Sequence, residues 1–133
     1  MFLFLQLYLV TLVAFIVIDM IWLGLIAKKF YRDQLGFMMR ATVNWPAAII
    51  FYLLFIVGLV FFVVYPSLSQ DSRFYAFITG ALFGLIAYST YDLTNLATLK
   101  NWPLTVTIVD LAWGSLLSGT LTLIGFIYGK SIL

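Results

Sequence analysis

From Met1 to Ala27 the chain is apolar almost without interruption, and Asp19 is its only charge. A run of that length constrains the fold more than any other feature here, because about 20 apolar residues in a helix cross the hydrocarbon core of a bilayer. Three comparable runs follow. The spans are expected at about 3–27, 46–65, 74–99 and 103–128, with no linker or low-complexity stretch between them. The predicted fold is therefore all-α, a single polytopic domain over 1–133 built as a bundle of four transmembrane helices. Composition agrees: 65% of the residues are apolar and 9% charged, against about a quarter charged in soluble domains. No aqueous fold of this size could bury so much hydrocarbon.

The connections differ in character. Residues 28–45 mix Lys28, Lys29, Arg32, Asp33 and Arg40 with Phe30, Tyr31, Phe37, Met38 and Met39, a pattern that predicts a short interfacial helix between helices 1 and 2. The second span carries no ionisable side chain except tyrosine phenols and reads as the most lipid-exposed helix. Pro66–Arg73 is a polar turn, and Lys100-Asn101-Trp102-Pro103 a tight reversal. The first span lacks a basic leading segment and a small-residue cleavage site, so it is expected to be retained rather than removed as a signal peptide.

Basic residues flanking the spans predict orientation. Lys28, Lys29, Arg32, Arg40 and Lys100 fall on the side of the first and third connections, and Arg73 and Lys130 on the other. Both termini are therefore expected on the outer, periplasmic side. Asn-Trp-Pro occurs at Asn44-Trp45-Pro46 and again at Asn101-Trp102-Pro103. Helix-start chemistry explains both, since Asn caps, Pro suits the first turn and Trp prefers the interface; an internal duplication is the competing reading.

Three aspartates lie within the spans. Asp19 precedes Lys28 by nine residues, Asp92 precedes Lys100 by eight, and Asp110 follows Lys100 by ten. At about 1.5 Å per residue all three sit roughly 12 to 15 Å from the same boundary. Carboxylates in hydrocarbon are costly, so they turn inward, find partners or stay protonated. With no Lys or Arg at that depth, at least one is expected to be protonated near neutral pH, or offset by a bound cation or water cluster. Asp92 and Asp110 are the expected close pair, with Asp19 reaching in from across the bundle.

Helical spacing places Tyr88, Ser89, Asp92 and Asn95 on one face of helix three and Thr107, Asp110, Trp113 and Gly114 on one face of helix four, while Asp19 is a turn from Trp22. Asp19, Asp92, Asp110, Tyr88, Ser89, Asn95, Trp22, Trp113 and Thr107 are the candidate ligand- or proton-binding residues. The bland alternative is that the acids only tie helices together; yet bilayer hydrogen bonds average about 0.6 kcal/mol, which one Asn would supply. Small residues at Gly80 and Gly84, and at Gly114 and Ser118, form ridges that predict close packing of helices three and four.

The run Tyr88–Pro103, with Val109-Asp110-Leu111-Ala112-Trp113-Gly114, Asp19, Trp22-Leu23-Gly24, Phe30-Tyr31-Arg32, Leu35-Gly36 and Phe51-Tyr52, resembles a family of small bacterial membrane proteins catalogued as domain of unknown function 2177. The resemblance covers nearly the whole chain. It implies a four-span protein of the bacterial inner membrane, and no activity.

Function classes narrow further. The chain has no Cys and no His, which removes thiol nucleophiles, disulfides, imidazole haem ligation and the usual zinc sites. A net charge of +2 is too small and scattered for a nucleic-acid surface. No cofactor and no metal is expected, although three carboxylates could hold Mg²⁺. The leading expectation is binding or transport of a small, cationic or lipid-like ligand with proton involvement, with the lipid bilayer as a partner and a homodimer as the form a four-span transporter would need. A membrane enzyme using Asp general acid and base chemistry on a lipid, with Tyr88 or Asn95 as donor, is the second reading. An accessory or assembly subunit with a structural polar core is the third.

Overall fold

The computed structural model describes all 133 residues and contains no strand. Its helices are α1 (Phe2–Ile26), α2 (Lys28–Leu35), α3 (Trp45–Ser67), α4 (Arg73–Thr98) and α5 (Leu104–Ile132). Four of them, α1, α3, α4 and α5, are long and apolar enough to cross a membrane, so the chain is an all-α, multi-pass bundle. The span boundaries agree with expectation to within two residues, except that α5 continues to Ile132. Within 28–45 the helical part is shorter than the segment: α2 ends at Leu35, a 3₁₀ turn covers Gly36–Met38, and the chain is irregular until Trp45.

Two helices contain a wider π-helical turn. In α3 it covers Val60–Val64, just ahead of Pro66. Proline has no N–H and its ring crowds the preceding turn, and the wider turn lets the helix continue to Ser67. In α1 it covers Trp22–Ile26, where Ala27 N–H donates to the Trp22 carbonyl at 2.7 Å. Such turns are frequent at functional sites, and this one borders the cavity described below.

α4 and α5 make the most extensive helix contact, and glycine permits it. A Cβ on Gly84 would lie 2.2 Å from the Gly114 carbonyl oxygen, and one on Gly80 would lie 2.7 Å from that of Ser118. The predicted small-residue ridges are thus the α4–α5 interface. Leu7, Phe15, Ile56, Leu59, Val60, Leu117 and Leu121 form the core, toward the end of the bundle that holds the termini. The opposite end, where α2 and the 99–103 reversal lie, is less tightly filled.

Two expectations need correction. α3 is not the most lipid-exposed span: 33% of its apolar window is buried, against 17% for α1 and for α4. Its Phe55, Ile56, Leu59 and Val60 pack into the core, and since lipid tails and helix neighbours are equally apolar, lack of charge does not distinguish one from the other. The two Asn-Trp-Pro triplets also differ. Asn44 caps α3, accepting from Ala47 N–H at 3.3 Å, whereas Asn101 adopts a left-handed backbone with φ of 64° and caps nothing. Trp45 is exposed; Trp102 is buried and donates to Thr107 Oγ1 at 3.1 Å. The second triplet sits inside a tight reversal, which needs a left-handed residue, and Asn tolerates that conformation.

Candidate functional site

A cavity of about 810 Å³ opens at the end of the bundle that carries α2. Twenty residues line it, of which 15 are hydrophobic. Every span and α2 contribute an aromatic ring: Trp22 from α1, Tyr31 from α2, Tyr52 from α3, Tyr88 from α4 and Trp113 from α5. Two carboxylates, Asp19 and Asp110, also line it.

Each carboxylate is held by a phenol from a different helix. Tyr52 donates to Asp19 Oδ2 at 2.8 Å, and Tyr31 donates to Asp110 Oδ1 at 2.5 Å. The Tyr31 oxygen in turn accepts from Trp22 Nε1 at 3.3 Å. Asp-x-x-Trp therefore recurs on α1 and α5 with a structural consequence: Trp22 and Trp113 stack with ring centroids 4.2 Å apart and planes 7° from parallel. The Trp113 N–H lies near the Asp19 carboxyl but makes no hydrogen bond. Tyr88 is seated by Gly114, where a Cβ would come within 2.3 Å of the phenol ring. Burial pushes the Tyr31 phenol well above its ordinary range, and the hydrogen bond to Asp110 and that residue's charge push the same way. Tyr31 thus stays a donor throughout the neutral range.

Asp92 is fully buried, is absent from the cavity wall, and has no hydrogen-bond partner on either carboxylate oxygen. It is Asp19, not Asp92, that shares the cavity with Asp110. The three carboxylates do not assemble as a metal-ligating group, so the three-carboxylate Mg²⁺ arrangement is not formed.

The cavity gathers Asp19, Asp110, Trp22, Trp113 and Tyr88 from the expected set, and leaves Ser89, Asn95, Thr107 and Asp92 outside. Thr107 is occupied instead by the Trp102 indole, while its own hydroxyl donates to the Pro103 carbonyl at 3.3 Å. Sharing a helical face with Asp110 was not enough, because α4 packs so closely on α5 that its polar ridge is partly covered. The sequence gives no sign by spacing alone that Tyr31 and Tyr52 line the cavity and hold its two carboxylates. Both stand in the family-like runs Phe30-Tyr31-Arg32 and Phe51-Tyr52, the one signal that could have pointed to them.

One face of α2 completes the wall. Lys28, Tyr31, Arg32 and Leu35, at helical spacings of three and four, all line the cavity. Lys29 points elsewhere and pairs with Asp33 at 2.7 Å.

No curated protein and no solved structure matches the chain. The family model described as predicted membrane protein DUF2177 matches residues 4–127. Since that match takes in nearly all of the four-helix bundle and every residue of the cavity, the chain belongs to the DUF2177 family of membrane proteins.

Proposed function

We propose that this membrane protein binds a cationic amphiphile in the cavity between its spans, with the positive group against Asp19 and Asp110 and the apolar part along the aromatic walls. The observation that carries this reading is the joint lining of one cavity by two carboxylates and by rings from α1, α2, α3, α4 and α5. Carboxylates supply charge, and ring faces attract cations, by about 2 kcal/mol or more where water is excluded. A ligand with no positive group would leave the two carboxylates with one phenol donor each and no cation against them in a largely apolar cavity.

The bias of basic residues toward the first and third connections supports a reading in which the cavity faces the cytoplasmic leaflet and both termini the periplasmic side, and the resemblance to small bacterial membrane proteins supports a bacterial inner membrane as its place. Transport of the bound cation would require a second copy of the chain to complete a path across the bilayer.

Gly24 provides the test. It lines the cavity, and a Cβ placed on it meets nothing within 4 Å, so a large side chain there fills the cavity rather than the core. Purified protein titrated with dodecyltrimethylammonium should show a saturable change in tryptophan emission from Trp22 and Trp113. Gly24→Phe should abolish the change while helix content and unfolding temperature hold. An unaltered titration in that variant would overturn the proposal.

A further inference from the structure

The cavity carries opposite charges at two places. Besides the carboxylates Asp19 and Asp110, its wall includes Lys28 and Arg32, one turn apart on α2. Neither forms a salt bridge; the ion pairs of this protein are Lys29–Asp33 and Lys130–Asp71. α2 thus divides its cations, neutralising Lys29 on one side and presenting Lys28 and Arg32, unpaired, beside Tyr31 on the other. An unpaired Lys and Arg at the mouth of a cation site would repel a simple cationic ligand, so a ligand with positive charge alone leaves this half of the wall unexplained.

We infer that the ligand is zwitterionic, a phospholipid whose phosphate lies between Lys28 and Arg32 and whose ammonium reaches Asp19 and Asp110. Arg binds phosphate oxygens in a two-pronged manner and Lys binds them as a point charge. Basic residues between transmembrane helices are suited to phospholipid headgroups. The apolar majority of the lining favours a lipid over a free phosphoamine, since a small polar molecule would leave those walls uncovered. The inference rests on the cation-binding reading above and adds the anion site to it.

The test compares two lipids that share a phosphate and differ in the amine. Protein reconstituted in nanodiscs with equal mole fractions of phosphatidylethanolamine and phosphatidylglycerol, then analysed by native mass spectrometry, should retain the ethanolamine lipid several-fold over the glycerol lipid. Lys28→Ala with Arg32→Ala should lower retention of both by roughly tenfold or more, and Lys28→Arg with Arg32→Lys should preserve it. Asp19→Asn with Asp110→Asn should keep retention but remove the preference for the amine.

Unchanged lipid retention in the double-alanine variant would overturn the phosphate site. Saturable binding of dodecyltrimethylammonium with no retention of phosphatidylethanolamine would overturn the zwitterion and leave the cation-binding reading standing. Absence of both would overturn both. Displacement of the retained lipid by water-soluble phosphoethanolamine would show that the headgroup alone is the ligand, and overturn the lipid as its source. Circular dichroism of each variant confirms that helix content is retained.

Discussion

The indole of Trp22 on α1 lies flat on that of Trp113 on α5, with centroids 4.2 Å apart and 7° between the planes. Two antiparallel helices meet there through the same short pattern, an aspartate followed three residues later by tryptophan. Stacking holds the two carboxylates on one cavity wall, and it should be visible in solution. Parallel indoles at this distance couple their transitions, so wild-type protein should give an exciton couplet by circular dichroism. Trp22→Ala and Trp113→Ala should each remove it whole, and a double-mutant cycle should return about 0.5 to 1.5 kcal/mol of coupling. A couplet surviving in either single variant would contradict the stack.

Tyr31 spans 79 residues of sequence to reach Asp110. Removing its hydroxyl as Tyr31→Phe should cost about 1 kcal/mol in wild-type protein and much less in an Asp110→Leu background. Equal costs in the two backgrounds would show that the bond contributes nothing.

The same phenol predicts a pH dependence. Its folded-state value lies above the ordinary phenol value near 10, so above pH 10 the unfolded chain gives up this proton while the folded chain keeps it. The unfolded state then binds fewer protons, and stability falls as pH rises. The contribution is fully present below pH 10 and is lost on moving upward through the folded value. Unfolding in detergent followed at pH 8 and pH 11 should show a smaller alkaline loss for Tyr31→Phe than for wild type. Identical losses would remove Tyr31 from the account.

Gly84 and Gly24 make an internal contrast. Gly84→Ala puts a Cβ 2.2 Å from the Gly114 backbone oxygen, which forces α4 and α5 apart and should destabilise by about 1 to 3 kcal/mol or more. Gly24→Ala meets open space and should be neutral or gain up to about 1 kcal/mol from better helix propensity. Thermal unfolding of the two variants side by side checks both.

Asp92 offers a test of burial without partners. Both its carboxylate oxygens are enclosed and unbonded, so Asp92→Leu, which removes a buried acid, should leave stability equal or raised if the residue has no further role. A loss of more than about 2 kcal/mol would contradict this and show that the Asp92 carboxyl is bonded in the folded protein.

Much of this architecture is legible along the chain because its causes are local. Four runs of apolar residues become four spans, since the bilayer requires each segment to satisfy its own backbone hydrogen bonds as helix. The stripe of glycines on α4 and α5 marks their interface for the same kind of reason: small residues leave room wherever a neighbour arrives. Spacing within a helix also showed that Asp19 sits beside Trp22 and Asp110 beside Trp113.

Tertiary structure decided the rest. In a bilayer, apolar residues suit lipid and neighbouring helices equally, so nothing local reveals that α3 packs into the core, that α2 folds back to bring Tyr31 onto Asp110, or that Tyr52 holds Asp19. Nor does spacing separate the acids. Asp92 and Asp110 share a depth by sequence, but the packing of α4 against α5 closes over Asp92 and leaves Asp110 facing the cavity with Asp19, because the direction of a side chain depends on the rotation of its helix against its neighbours.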